Sequence, residues 1–81
     1  MEPKIHVTIK NRQNIYFDGE VSAITSFNDL GLFDILPKHE NFISLIKNKI
    51  ILHNKNQQKE LKIDQGLLKV RDNKVDIYLG I

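Results

Sequence analysis

The stretch GLFDILPKHENF, residues 31–42, is the most distinctive segment of this 81-residue chain. Gly31 follows the polar pair Asn28–Asp29 and can take the positive φ of a tight turn. Pro37 fixes its own φ and favours an extended Leu36, so a strand is expected to end here at a defined corner. Three interpretations of the segment compete: a catalytic histidine at position 39, a turn that defines the fold, or a loop shaped for a partner.

The apolar and polar positions of the same segment indicate where each part lies. Phe33, Ile35 and Leu36 are expected to supply apolar surface to the core. Residues 38–41 are all polar or charged, and we expect them to form an exposed segment. A turn that defines the fold explains these features without any chemistry.

Beyond this segment, apolar residues alternate with polar ones along most of the chain. In KIHVTIK, residues 4–10, Ile5, Val7 and Ile9 alternate with polar side chains, which is the pattern of a half-buried strand. Further strands are predicted over residues 15–17, 19–27, 42–46, 49–53, 60–63, 66–70 and 75–79, with turns at 11–14, 47–48, 54–58 and 71–74. This pattern predicts one all-β domain over residues 1–81, a two-sheet antiparallel β-sandwich of about 8–10 short strands.

Two segments leave alternatives open. Phe42, Leu45 and Ile46 sit at helical spacing, but no later residue continues that stripe, so a strand is preferred over a helix at 40–46. Residues 19–27 read as one strand, in which Val21 and Ile24 fall on opposite faces. That strand is expected to contact apolar neighbours on both faces.

Composition and charge argue against several classes of function. The net charge is +2, from 12 basic and 10 acidic residues, which is too balanced for a dedicated nucleic-acid-binding domain. Lysines at positions 47, 49, 55, 59 and 62 are interpreted as protection of strand edges, with a phosphate-binding patch as the alternative. The chain has no cysteine, no signal-peptide-like apolar segment and no apolar run near the ~20 residues of a membrane helix. We therefore expect the protein to act in solution or against another protein.

The histidines form no recognisable catalytic or metal-binding pattern. Catalysis by His39 would need an activated hydroxyl and an orienting carboxylate, and no serine of the chain lies in such a context. His6, His39 and His53 are too scattered for a metal motif, and His6 and His53 fall on polar positions where we expect solvent exposure. The sequence thus predicts no catalytic residue, no cofactor and no metal site.

Three segments together resemble the N-terminal β-sandwich domain of the epsilon subunit of rotary ATP synthases, called delta in mitochondria. That family carries a segment of the form G-E-F-G-I-L-P-G-H-A-P-L after a G-E-V strand, and a later segment of the form G-G-F-L-E-V. The matches stand in register over residues 5–79. The matching residues are Gly31, Phe33, Ile35, Leu36, Pro37 and His39, preceded by Phe17, Asp18, Gly19, Glu20 and Val21, and followed by Gly66, Leu67, Leu68, Lys69, Val70, Asn73, Lys74 and Val75.

The chain departs from the family pattern at several turns. Asp34 and Lys38 replace glycines of the first segment, Gln65 replaces the first glycine of the last, and Asn48 stands near a lost proline–glycine pair. Because Asp and Asn tolerate left-handed backbone better than other residues, Asp34 and Asn48 are expected to hold turns, whereas Lys38 and Gln65 are not. Family members usually continue into a two-helix C-terminal hairpin, which is either missing from this protein or lies outside the sequence.

The resemblance implies a non-catalytic subunit of the central stalk. Such a subunit docks on the gamma subunit, touches the membrane rotor ring, and lies at the inner face of the plasma membrane only through the complex. The residues that the resemblance turns toward the rotor ring are Asn28, Asp29, Leu30, Gly31, Leu32, Lys38, His39 and Glu40. Leu32 replaces an acidic residue of the family, so Leu30 and Leu32 are expected to make apolar contact with the ring, with burial of one or both in the core as the alternative.

Two other functions remain open on the sequence. The lost glycines would also suit a diverged β-sandwich that acts as a free-standing adaptor outside the synthase. The lysine-rich region 47–62 leaves a small nucleic-acid-binding domain as a third interpretation.

Overall fold

The computed structural model describes residues 3–80, and seven β-strands are their only regular secondary structure. Apolar side chains at alternate positions give each strand one face that the core can bury. The strands are β1 (Ile5–Lys10), β2 (Ile15–Val21), β3 (Ala23–Asn28), β4 (Gly31–Ile35), β5 (Phe42–Asn54), β6 (Gln57–Arg71) and β7 (Lys74–Leu79).

The strands pair in the order β2-β1-β7-β6-β5-β3-β4. Strands β1 and β7 are parallel, and every other pair is antiparallel. The long strands β5 and β6 break register at Lys47/Asn48, where Asp64 is the extra residue of β6. Such a bulge bends a ladder, so both strands can pass from one layer of a sandwich to the other.

The bend divides the molecule into two layers. The first layer contains β2, β1, β7, residues 65–71 of β6 and residues 42–47 of β5, and the second contains residues 57–63 of β6, residues 48–54 of β5, β3 and β4. Side chains from both layers form one core cluster. Its fully buried members are Ile5, Val7, Ile9, Val21, Ile24, Ile35, Ile46, Ile50, Leu52, Leu68, Val70, Val75 and Ile77.

The predicted β-sandwich is thus confirmed, and three details of the prediction are corrected. Strands expected at 42–46 and 49–53 are one strand, as are those at 60–63 and 66–70, because the chain bends at a bulge and does not turn. The β1–β7 pair is parallel, so the sandwich is not wholly antiparallel. The predicted strand 19–27 breaks at Ser22, which lets Val21 and Ile24 enter the same core from two layers.

Backbone geometry at the turns differs from the expectation in an informative way. Lys38 has a φ of 66° and Asn48 a φ of 73°, so both keep a left-handed conformation that the family assigns to glycine. The expectation was right for Asn48 and wrong for Lys38. It was also wrong for Asp34, which lies inside β4 and forms no turn. The strained Lys38 is held by its backbone N–H, which donates to Asn73 Oδ1 at 2.8 Å.

Replacing Lys38 by glycine is expected to stabilise the protein. A lysine in the left-handed region costs about 1–2 kcal/mol, and glycine avoids this cost. Glycine also has greater conformational freedom in the unfolded chain, which offsets about half of that gain in stability. We expect Lys38→Gly to raise the free energy of unfolding by about 0.5–1 kcal/mol in urea denaturation. Glu40→Gly, in the same loop but without positive φ, is the control and is expected to be neutral or destabilising. A lower free energy of unfolding in Lys38→Gly would contradict the inference that the backbone of Lys38 is strained.

Candidate partner-binding surface

The residues predicted to form one partner-facing loop lie in two separate groups. Residues 28–32, here called the tip, close the hairpin between β3 and β4, whereas Lys38, His39 and Glu40 lie in the loop 36–41 that follows β4. The groups sit at opposite ends of the five-residue strand β4, so about 13 Å of strand separates them. The two groups are therefore separate parts of the surface, and their contact with the rotor ring stays a prediction.

The tip is a hydrogen-bonded turn that presents apolar side chains to solvent. The side chain of Asn28 accepts a hydrogen bond from Leu30 N at 2.8 Å, and Gly31 takes a φ of 117°. Lys47 Nζ lies 3.2 Å from Asp29 Oδ1 and ties the tip to β5. Leu30 is 97% exposed and Leu32 is 62% exposed, so neither is buried in the core. The alternative that these two leucines point inward is thereby wrong.

The loop 36–41 is held by local hydrogen bonds. His39 N donates to Leu36 O at 3.1 Å, and His39 Nδ1 donates to Glu40 O at 2.7 Å. The imidazole ring packs edge-on against Phe42, with ring centroids 5.6 Å apart. His39 is therefore half-buried and its contacts order the loop, whereas the expected core residue Leu36 is largely exposed. Neither a hydroxyl nor a carboxylate contacts the ring in the described residues, which gives the catalytic interpretation no support.

A row of apolar side chains on the outer face of the first layer was missed by the sequence analysis. In the register of the sheet, Leu45 lies opposite Leu67, and Leu67 lies opposite Tyr78. Ile43 stands beside this row on β5; Ile43 is 64% exposed and Leu45 is 67% exposed. We call Ile43, Leu45, Leu67 and Tyr78 the apolar row. Residues 42–46 are apolar in both phases of the strand except at Ser44, which was a partial signal, but the sequence analysis predicted only a strand there and named no exposed face.

The apolar row and the tip are neighbours. Asn28 and Asp29 line a depression of about 90 Å³ together with Leu45 and the bend of β5 and β6. The amide of Asn28 donates to Ser44 Oγ at 3.2 Å. The tip and the apolar row therefore form one continuous surface, at the end of which Leu30 projects.

A second cluster of polar side chains connects strands of the second layer. Thr25 Oγ1 donates to Asp34 Oδ1 at 2.6 Å and accepts from His53 Nε2 at 2.8 Å, while the amide of Gln58 donates to His53 Nδ1 at 3.2 Å. His53 is half-buried, so the expectation of an exposed surface histidine is wrong for it. Because Thr25 is buried and directs its proton at a carboxylate, the cluster cross-links β3, β4, β5 and β6 and does not activate a nucleophile.

His6 is also paired with a neighbour and is only partly exposed. Its Nε2 lies 2.7 Å from Asp18 Oδ1, and Thr8 Oγ1 donates to the same oxygen at 3.0 Å. These hydrogen bonds, first from His6 and then from Thr8, hold the pKa of the Asp18 carboxyl below its ordinary value of 3.8. The interaction joins β1 to the edge strand β2 on the face that carries the apolar row.

The lowered pKa predicts a dependence of stability on pH. A carboxyl group with a depressed pKa in the folded state stabilises the fold above its ordinary pKa of 3.8, and this contribution disappears as the pH falls through its lower folded value. Asp18→Asn is expected to lower the melting temperature near pH 7, and its difference from the parent protein is expected to shrink as the pH falls below 3.8 and through the folded-state pKa of Asp18. Asp64→Asn, which removes an exposed carboxylate, is the control. A difference that persists unchanged at low pH would contradict the assignment.

The potential metal-ligating side chains are dispersed over the described residues. No group of three or more potential metal-ligating side chains lies together between residues 3 and 80. Three of the lysines in region 47–62 have local partners: Lys47 on Asp29, Lys49 on Glu60 and Lys59 over the ring of Phe17. Over the same residues no helix is long and apolar enough to cross a membrane.

Comparison with known protein families supports the resemblance in sequence. The model of the family described as "ATP synthase, Delta/Epsilon chain, beta-sandwich domain" matches residues 4–79. The chain is 34% identical over 76 residues to the ATP synthase epsilon chain of Campylobacter curvus, and 27% identical over 75 residues to that of Leptospira borgpetersenii. Each alignment covers 91% of this chain and 59% of the relative, so the chain spans about three fifths of the length of these relatives.

Solved structures share the fold. The first is a chain of the mitochondrial ATP synthase of Euglena gracilis, with a TM-score of 0.86 and 21% identity over 94% of this chain and 50% of that chain. The second is a chain of the central stalk and c-ring of the mitochondrial ATP synthase of Tetrahymena thermophila, with a TM-score of 0.80 and 21% identity over 99% of this chain and 66% of that chain. At this identity the likeness establishes the fold alone.

Proposed function

The chain belongs to the family of ATP synthase delta/epsilon β-sandwich domains, and from this premise we propose that it is a non-catalytic subunit of the central stalk of a rotary ATP synthase. In this role it binds the gamma subunit and the rotor ring and keeps proton transport coupled to ATP synthesis. The demand on such a subunit is mechanical, and a close-packed two-layer core transmits force with little deformation. No cofactor is needed for this function.

The observation that carries the proposal is the apolar row on the outer face of the first layer. Large apolar side chains at neighbouring positions of one face are the usual mark of a protein interface. Leu45 and Ile43 lie on a sheet whose opposite face packs against the core, so the core supports the row from behind. We assign the apolar row to the gamma subunit.

The tip is assigned to the rotor ring. Leu32 stands where the family has an acidic residue, so the two leucines Leu30 and Leu32 offer the ring an apolar contact. Full burial of side chains of this size by a partner is worth about 1.5–3 kcal/mol each. Asn28, Asp29 and Gly31 hold the turn that presents the two leucines. Lys38, His39 and Glu40 lie at the other end of β4, where His39 packs against Phe42, and their contact with the ring stays a prediction.

The location follows from the same assignment. As part of a synthase, the protein is associated with a membrane through its partners. In a bacterial cell we place it on the cytoplasmic side of the plasma membrane, where it contacts the ring and does not enter the bilayer.

The proposal is tested by affinity purification of the tagged protein from membranes and from the soluble fraction of its source cells. We expect the gamma, alpha and beta subunits to be recovered from the membrane fraction, and the purified protein alone to hydrolyse no ATP. Recovery of other proteins with every synthase subunit absent would overturn the proposal in favour of a free-standing adaptor. Hydrolysis of ATP by the pure protein would overturn the non-catalytic role.

A further inference from the structure

The first five residues of β5, FISLI at 42–46, form an exposed edge of the first layer. Strand β6 pairs with one side of this segment over its whole length. On the other side β3 pairs with Lys47 and with residues 51–53, and no strand of the described part of the chain pairs with residues 42–46. We call residues 42–46 the open edge.

Two hairpin turns determine which backbone groups of the open edge are free. The turn between β6 and β7 has two residues, Asp72 and Asn73, with φ of 50° and 66°. The residues that flank such a turn bond to each other, so alternate residues of β6 from Arg71 face β7 and those from Val70 face β5. Phe42, Ser44 and Ile46 are the partners of this second set and therefore point to β6.

The turn between β5 and β6 leads to the same result independently. Asn54 pairs with Gln57 across a two-residue turn, so Asn54 and every second residue before it point to β6. The bulge places its extra residue, Asp64, in β6, and the buried residues Ile46 and Ile50 stay in one phase of β5 on either side of it. Ile43 and Leu45 thus direct their backbone N–H and C=O groups away from the sheet. The Leu45 carbonyl accepts from Ser44 Oγ at 3.0 Å, and no other hydrogen bond among residues 3–80 meets these groups.

The other edges of the two layers carry features that discourage pairing. Strand β2 has Asp18 and Glu20, β4 has Asp34 and is followed closely by Pro37, and residues 57–63 of β6 carry two lysines and a glutamate. The open edge has no charge, no glycine and no proline. Proteins normally protect an apolar edge of this kind, since it pairs readily with another strand. An unprotected edge beside an exposed apolar row is therefore suited to a partner.

We propose that the open edge binds an extended segment of the gamma subunit as an added β-strand, so that main-chain hydrogen bonds from Ile43 and Leu45 join the two proteins. This inference rests on the function proposed above and specifies the mode of binding. Edge addition satisfies unpaired backbone groups and leaves specificity to alternate side chains. The incoming strand should carry apolar residues at every second position, which extend the row of Ile43 and Leu45.

Charge defines one end of the incoming segment. A depression of about 400 Å³ beside Ile43 is lined by Phe42 together with the cationic side chains of Lys69 and Arg71. Arg71 is 72% exposed, and its closest carboxylate, Asp72, is 3.9 Å away. An acidic residue next to the apolar positions of the incoming strand would complete this site.

Amide hydrogen exchange, read by NMR on the labelled full chain with and without purified gamma subunit, tests the proposal. We expect the amides of Ile43 and Leu45 to exchange at least about tenfold more slowly in the complex. Phe42, Ser44 and Ile46 are already bonded to β6 and should change little. Binding of gamma without added protection at Ile43 and Leu45 would overturn the strand addition and leave the proposed function standing. Failure of gamma to bind would overturn both.

A substitution series separates the contribution of the Ile43 backbone N–H to binding from that of the Ile43 side chain. Ile43→Pro removes an N–H that points away from β6, so the internal ladder is preserved, while Ile43→Ala keeps the N–H and shortens the side chain. We expect Ile43→Pro to bind gamma roughly tenfold more weakly than Ile43→Ala, with far-UV circular dichroism unchanged. Equal affinities would overturn the proposal. If the amides become protected with rising concentration of the chain alone, as a dimer forms, the edge serves a second copy and the gamma assignment is wrong.

Discussion

Leu68→Ala is expected to lower the free energy of unfolding by about 2–5 kcal/mol, the range typical of leucine deletions at buried sites. Leu68 is fully buried, and its strand is paired on both sides, with Ser44 on β5 and with Ile77 on β7. The cavity therefore cannot close by movement of a free strand. A domain of this length has a total stability of about 4–12 kcal/mol, so this single change removes a large fraction of it.

Urea denaturation followed by circular dichroism measures the effect. We expect the midpoint to fall by roughly 1–3 M with the slope unchanged, because the same surface is exposed on unfolding. Leu67→Ala is the matched control, since it deletes the same atoms from the next residue, which lies on the outer face. That control should cost less than about 1 kcal/mol. Equal losses in the two variants would show that the outer face is packed in the free protein.

Much of the fold could be predicted because its signals are local. The alternation of Ile5, Val7 and Ile9 placed β1 and its inner face, and the pair Asp72–Asn73 marked the last turn. What failed depends on distant parts of the chain. Whether Lys47 and Asn48 end a strand or only bend it is decided by the extra residue Asp64 on β6, which no local pattern reveals. The parallel pairing of β1 with β7 is likewise a contact between the two ends of the chain.

The conformation of Lys38 is determined by a contact with a distant turn. The loss of a glycine suggested a different turn, yet Lys38 keeps the left-handed conformation, because Asn73 from the β6–β7 turn fixes its N–H. The structure around a residue can impose a conformation that its side chain disfavours. The tertiary contact, and not the residue type at position 38, decides the path of this loop.

The candidate surface was predicted only in part. The exposure of Leu30 and Leu32 follows from their place in a hairpin tip, which the polar pair Asn28–Asp29 marked in the sequence. Residues 42–46 are apolar in both phases, but this local pattern does not reveal the whole apolar row, because its members come from β5, β6 and β7 and become neighbours only through the register of the sheet. An apolar residue in a strand is predicted to lie in the core unless the packing of the sheet shows that its face has no partner.

Leu45→Asp is expected to weaken binding to the purified gamma subunit by about 100-fold or more, since a carboxylate buried without a partner costs several kcal/mol. Leu45 lies opposite Leu67, and Lys47, which lines the same depression, already pairs with Asp29, so that lysine is not free to compensate the charge. In the free protein the same side chain is 67% exposed, and the stability should change by less than about 0.5 kcal/mol. Calorimetry with gamma, together with urea denaturation of the free chain, separates the two effects.

The control for Leu45→Asp is the same leucine-to-aspartate substitution at a position away from the apolar row. Leu36→Asp introduces a carboxylate at a leucine that is 56% exposed in the loop after β4, away from the apolar row. If the row binds gamma, Leu36→Asp retains nearly full affinity while Leu45→Asp loses it, and Leu45→Ala falls between them because it removes contact area without burying a charge. Equal losses in the two aspartate variants would mean that added negative charge, and not the apolar row, controls the association. Retention of affinity by Leu45→Asp would move the gamma contact to another face of the sandwich.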